Sequence, residues 1–124
     1  MRRISAGSPF EAALGYSRAV VKGGWCFVSG VTGYDYATMA IPGDVAGQAR
    51  NCFSTIRSVL SEAGFGLGDI VCVRYILTDA GLVEGLAPVL AEALGEVRPA
   101  ATMVIAGLIR PEMLVEIEVT AFRG

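Results

Sequence analysis

The sequence predicts an α/β domain built on one mixed β-sheet, with two helices on one of its faces. Three observations carry that prediction. Apolar positions recur at three- and four-residue steps between Asp44 and Gly64, a second helical stripe runs from Leu82 to Gly95, and residues 113–122 show a two-residue alternation. Strand-rich segments lie before, between and after the two stripes, and strand–helix–strand units in one sheet place their crossover helices against it.

Residues 18–21 and 25–29 are rich in Val, Phe and Trp and flank Lys22-Gly23-Gly24, which predicts a β-hairpin turned by the glycines. Residues 30–42 hold glycines, Tyr34, Asp35 and Tyr36 without periodicity, and are expected to form a loop with at most a short strand. From Asp44, the stripe Val45, Ala49, Cys52, Ile56, Val59 and Ala63 predicts an amphipathic helix. Asp44 would cap its start, and Gly64 would end it in the left-handed conformation that costs glycine little.

Residues 69–77 are apolar on both faces apart from Arg74, as expected of a strand covered on both sides. In the second stripe Pro88 lacks the amide proton a helix interior uses, so it should kink or restart the helix there. Residues 100–106 read as a strand. In the last strand Val115, Ile117, Val119 and Ala121 share one face, with Glu116, Glu118, Thr120 and Phe122 on the other. Both helices on one face leave the opposite face needing a cover, for which a second subunit is the expected source.

Composition narrows the chemistry. The chain has 124 residues, about the size of one domain, so residues 1–124 are read as a single unit. Hydrophobic residues make up 53% and mean hydropathy is +0.55, which again points to apolar surface covered by another copy. The longest apolar run, residues 103–109, is far short of the ~20 residues a membrane span needs. Arg2 and Arg3 are followed by Ser5, Gly7, Ser8, Pro9 and Glu11 where an export signal would be apolar. Cys26, Cys52 and Cys72 are odd in number, widely spaced and set in apolar segments, which predicts buried free thiols. Together these features place the protein in the cytoplasm, away from membranes.

The chain contains no histidine, which excludes Ser-His-Asp and Cys-His nucleophile pairs, histidine general bases and HExxH zinc sites. No CxxC spacing occurs. Net charge is −2 and pI about 5.0, so no general attraction to nucleic acid is expected. Any chemistry must use carboxylates, hydroxyls, arginines or backbone groups.

Gly64-Phe65-Gly66-Leu67-Gly68 follows a helix and precedes a strand, the reverse of a phosphate-binding loop, and is read as a helix cap and turn. Ser29-Gly30-Val31-Thr32-Gly33 does follow a strand; its amides could receive a carbonyl or carboxylate oxygen, although a plain turn explains it better. Glu116 and Glu118 stand roughly 7 Å apart at ~3.4 Å per residue, and polar alternation on a half-exposed strand explains them better than a glycosidase pair. Arg74 would need a carboxylate partner or a ligand if buried, with a subunit-interface ion pair as the equal alternative.

Several segments, in order over nearly the whole chain, resemble the Rid (reactive intermediate deaminase, YjgF-like) family, also described as endoribonuclease L-PSP. They are Leu14-Gly15-Tyr16-Ser17-Arg18-Ala19, Phe27-Val28-Ser29-Gly30, Gln48-Ala49-Arg50, Leu60 to Gly64 followed by Asp69-Ile70-Val71, Leu77-Thr78-Asp79, Arg98-Pro99-Ala100-Ala101-Thr102 and Leu114-Val115-Glu116-Ile117-Glu118. The resemblance implies a chorismate mutase-like fold, assembled as a homotrimer with small-molecule clefts between subunits. It also implies hydrolysis of imines or enamines to a carbonyl compound and ammonia, with no metal or organic cofactor.

By the same resemblance Glu116 orients water, Tyr16 forms a cleft wall, Ser29 and Gly30 line it, and Thr102 lies beside it. The family's carboxylate-clamping arginine falls at Ala101, its proline at Gly15 and its glutamine at Arg18. Alanine cannot form a charge-assisted pair worth roughly 1.5–3 kcal/mol, so hydrolysis of 2-imino acids in the usual manner is not expected. Arg74, Arg18 or Arg98 could supply an anion anchor instead. A trimer that binds a ligand without turning it over is the alternative reading. A ribonuclease, suggested only by the older family name, fits neither the acidic pI nor the lack of histidine.

Overall fold

The computed structural model describes residues 1–124 as a six-stranded sheet with three α-helices. The elements are β1 (Arg2–Ile4), α1 (Pro9–Leu14), β2 (Ala19–Lys22), β3 (Trp25–Thr32), α2 (Val45–Glu62), β4 (Ile70–Leu77), α3 (Val83–Leu94), β5 (Ala100–Ile105) and β6 (Val115–Phe122). The sheet order is β1-β2-β3-β6-β4-β5, antiparallel except for the β4–β5 pair. The mixed α+β architecture read from the sequence is therefore present, with α2 and α3 contributing the helical side of the core.

Local chemistry explains the element ends. Asp44 accepts a hydrogen bond from the Gly47 amide at 3.0 Å and caps α2. At the other end Gly64 takes a φ of +86°, and the Phe65 amide donates back to Leu60 O at 2.7 Å, the closing bond of a left-handed helix stop. Along α2 the predicted stripe is buried, with Ala49, Cys52, Ile56 and Leu60 packed against Val31 on β3 and Val115, Ile117 and Ala121 on β6 within one core. The same alternation leaves Glu116, Glu118 and Thr120 half-buried on the far face of the sheet.

Several expectations are corrected. Helix α3 runs from Val83 to Leu94 with Pro88 inside it, neither broken nor restarted there. Pro88 is the sixth residue of the helix, so the Glu84 carbonyl loses its i+4 amide donor, and the helix continues past that single lost bond. Within one chain strand β4 is covered on its helical face, where Val73, Tyr75 and Leu77 are buried, and Cys72 and Arg74 lie on the open face for which a second subunit is the expected cover. The thiols are free, but only Cys26 and Cys52 are buried. Strand β3 continues through Thr32, three residues beyond the predicted hairpin arm. No helix of the structure is long and apolar enough to cross a membrane.

Candidate functional site

The site begins with a defect in the sheet. Against β6, Val28 pairs with Val119 and Val31 pairs with Ile117, so Ser29 and Gly30 together face one residue. That is a β-bulge, which frees backbone groups from the ladder and redirects side chains. The freed carbonyls are taken by Arg18, whose Nη1 donates to Ser29 O at 3.1 Å and Gly30 O at 2.7 Å. Ser29 returns two bonds to the preceding segment: its amide donates to Arg18 O at 2.9 Å and its hydroxyl to Ser17 O at 2.7 Å.

Tyr16 is aimed by the turn before it. Helix α1 starts in a capping box, in which Ser8 accepts from the Phe10 amide and Glu11 accepts from the Ser8 amide, and it stops at Gly15 with φ +73°. The next residue, Tyr16, accepts from Arg18 Nη2 through its hydroxyl at 3.1 Å. The Arg18 guanidinium also lies 5.4 Å from the Tyr16 ring centroid and 5.5 Å from that of Tyr36, within cation–π range of both.

Glu116 enters from β6. A Cβ placed on Gly30 would come within 2.7 Å of its carboxyl carbon and Oε1, so only glycine at the bulge lets the carboxylate sit there. Burial raises the Glu116 pKa above the usual carboxylate range, the negative charge of Glu118 adds to the rise, and Arg18 opposes it. Burial likewise raises the Tyr16 hydroxyl, again opposed by Arg18.

Tyr16, Arg18, Ser29, Gly30 and Glu116 line one cleft of about 280 Å³, whose apolar wall includes Phe10, Ile109 and Met113. Four of the residues expected at the site, Tyr16, Ser29, Gly30 and Glu116, are thus brought together. Arg74 and Thr102 are not. They line a separate groove of about 390 Å³ with Cys72 and Glu118 on the open sheet face. A small hollow of about 200 Å³ bounded by Gly30, Arg74, Ile76, Glu116 and Glu118 joins the two regions, so Glu116 stands at their meeting point.

Arg74 is neither buried nor free. Its side chain is 54% exposed and lies 3.8 Å from Glu118 on the neighbouring strand, an ion pair within the chain. Such exposed pairs contribute little stability. Ala101 is exposed beside Val73 on the edge strand β5, and Arg98 is exposed and outside the cleft. A larger polar hollow of about 510 Å³ crosses α2, but its charged side chains, Asp35 and Glu62, are both exposed. The smaller cleft, where a buried cation and a shifted carboxyl converge, is the candidate site.

Sequence reasoning missed the cleft's apolar wall and Tyr36, whose hydroxyl accepts from the Thr32 amide at 3.2 Å. Phe10 had an available signal in the Ser8-Pro9-Phe10-Glu11 helix start. Ile109 and Met113 had none, since they lie in an aperiodic segment placed by contacts distant in sequence.

Residues 7–123 match the family described as Endoribonuclease L-PSP. The chain is similar to the 3-aminoacrylate deaminase RutC of Acinetobacter baylyi, at 36% identity over 73% of each protein. Among solved structures it resembles a Mycobacterium tuberculosis member of the YjgF/YER057c/UK114 family, with TM-score 0.89 and 38% identity over 98% of each chain. It also resembles RidA from the Antarctic bacterium Psychrobacter, with TM-score 0.88 and 31% identity over 99% of this chain and 100% of the other.

Proposed function

Because this chain belongs to the Endoribonuclease L-PSP (YjgF/Rid) family, we propose that it acts as a homotrimer that binds a small metabolite in its clefts and hydrolyses an imine or enamine. The observation that carries the reading is the half-buried Glu116 carboxyl, held against the Ser29–Gly30 bulge in a cleft it shares with Tyr16. A carboxylate in that setting can accept a proton from water as the water oxygen bonds to the imine carbon. The carbinolamine so formed collapses when the proton is returned to nitrogen, breaking the C–N bond. Imine plus water gives carbonyl compound plus ammonia, so neither a metal nor a redox partner is required. An enamine enters the same route after protonation at carbon.

The trimer is supported by the uncovered sheet face. Trp25, Phe27 and Phe122 are all at least 40% exposed there and pack on one another, with a Trp25–Phe122 centroid distance of 4.6 Å. Ala101 sets the substrate apart from 2-imino acids held by an arginine on β5. It also favours a second reading, a trimer that binds its ligand without turnover. RNA cleavage does not fit this reading, because the chain is acidic, with pI about 5.0, and has no histidine.

The test is ammonia release from imines generated in situ by an amino-acid oxidase, comparing the native protein with Ala101→Arg at a mass fixed by light scattering. We expect three times the chain mass, turnover of 2-imino acids gained in the variant, and turnover of imines or enamines of another class by the native protein. No turnover of any imine by either protein would leave the ligand-binding reading in its place.

A further inference from the structure

We propose that Arg18 makes this cleft selective for anionic ligands, supplying a buried positive charge that reaches the ligand through the Tyr16 hydroxyl. The inference rests on the small-metabolite reading of the cleft and deepens it by naming the ligand's charge. It stands on an imbalance. Arg18 is 1% exposed, yet all its hydrogen-bond partners are neutral: two carbonyls and one phenol. The protein's two ion pairs, Arg74–Glu118 and Arg123–Asp69, do not involve it. Its Nε is the one buried side-chain nitrogen or oxygen with no hydrogen-bond partner at all.

A guanidinium taken out of water is normally matched by a carboxylate, because carbonyl dipoles and aromatic faces offset only part of its lost hydration. Glu116 lines the same cleft but lies beyond ion-pair distance, so the wall keeps a positive charge beside an open volume. The Tyr16 hydroxyl accepts from Nη2 at 3.1 Å and lines the cleft, so its own proton can be given to a ligand there. That O–H, polarised by the cation behind it, is a donor aimed at whatever enters. A small anion would complete both the charge and the hydrogen bond, from the β2–β3 wall and without any residue of β5.

Butyrate and butyramide, nearly identical in shape and inert to hydrolysis, isolate charge from chemistry when titrated calorimetrically into the native protein. Butyrate is expected to bind at least about tenfold more tightly, the scale of one charge-assisted contact. Arg18→Gln should remove that preference, and Arg18→Lys, which keeps the charge, should retain part of it. Tyr16→Phe, which leaves the arginine and the bulge in place, should also lose most of the preference; this guards against Arg18→Gln failing to fold. Equal affinity of the native protein for both compounds would overturn the role of Arg18 alone, as would a folded Arg18→Gln that still prefers butyrate. If neither compound binds, the small-metabolite reading of the cleft falls with it.

Discussion

Glu116→Gln is expected to lower imine or enamine hydrolysis by roughly 10²- to 10⁴-fold, the usual contribution of a positioned general base, while the protein becomes more stable near neutral pH. The two effects have one cause. Burial and the Glu118 charge disfavour the ionised form of Glu116, so its pKa in the folded protein is raised above its unfolded value. A carboxyl raised in this way binds its proton more tightly when folded. Its ionisation therefore costs stability as pH rises through the window between the unfolded and folded values, and that cost persists above the window.

Glutamine keeps the shape and removes the charge. Its stabilising effect should be present at pH 7 and vanish below the ordinary glutamate pKa of about 4.3. Catalysis has the opposite requirement, since the base must be ionised: native turnover should climb with pH along a limb centred above the usual carboxylate value. Thermal denaturation and initial rates across pH 4–8, on native and variant proteins, check both limbs. Unchanged turnover in a folded Glu116→Gln would remove the residue from the chemistry.

The features legible in the sequence were those governed by a short repeat. Residues 113–122 declare a strand because burial follows every second residue, and Asp44 with Gly64 brackets α2 because caps and left-handed stops are local chemistry. The bulge at Ser29–Gly30 was not legible in that sense, because it exists only in the register between β3 and a strand about ninety residues away. Arg18 is one of three anion anchors the sequence offers, but its grip on the bulge carbonyls was hidden with the bulge. Of the residues named through the resemblance or by charge, Tyr16, Ser29, Gly30 and Glu116 line one cleft, while Arg74 and Thr102 line a separate groove on the open face. The short β1 strand and α1 were missed altogether. Ser8-Pro9-Phe10-Glu11 carries a capping-box pattern, but the N-terminal segment was weighed only as a failed export signal.

A buried glutamine outside the cleft controls one of its walls, and Gln48→Leu is expected to destabilise the protein by about 3 kcal/mol. Gln48 is 0% exposed and uses both ends of its amide. Nε2 donates to Pro42 O at 2.8 Å and Glu112 O at 2.9 Å, and Oε1 accepts from the Leu114 amide at 2.9 Å. These three bonds pin the chain entering β6, including the cleft residue Met113, and the loop before α2 to the helix itself. Leucine has similar bulk but leaves one amide and two carbonyls without that partner, at about 1–3 kcal/mol for each group that water cannot reach.

For a chain of this length, 3 kcal/mol corresponds to a fall in Tm of roughly 10 °C, compared at equal protein concentration because subunit association shifts the midpoint. Gly33→Ala should act on the same contact, since a Cβ there would overlap the Cβ and Cα of Gln48. The two losses should fall well short of additive in the double variant, because once Gln48 has lost its bonds the methyl group has less left to disturb. Released from its staple, the segment carrying Met113 should also hold cleft ligands more weakly. A Tm within about 2 °C of native in Gln48→Leu would mean that water reaches all three backbone groups.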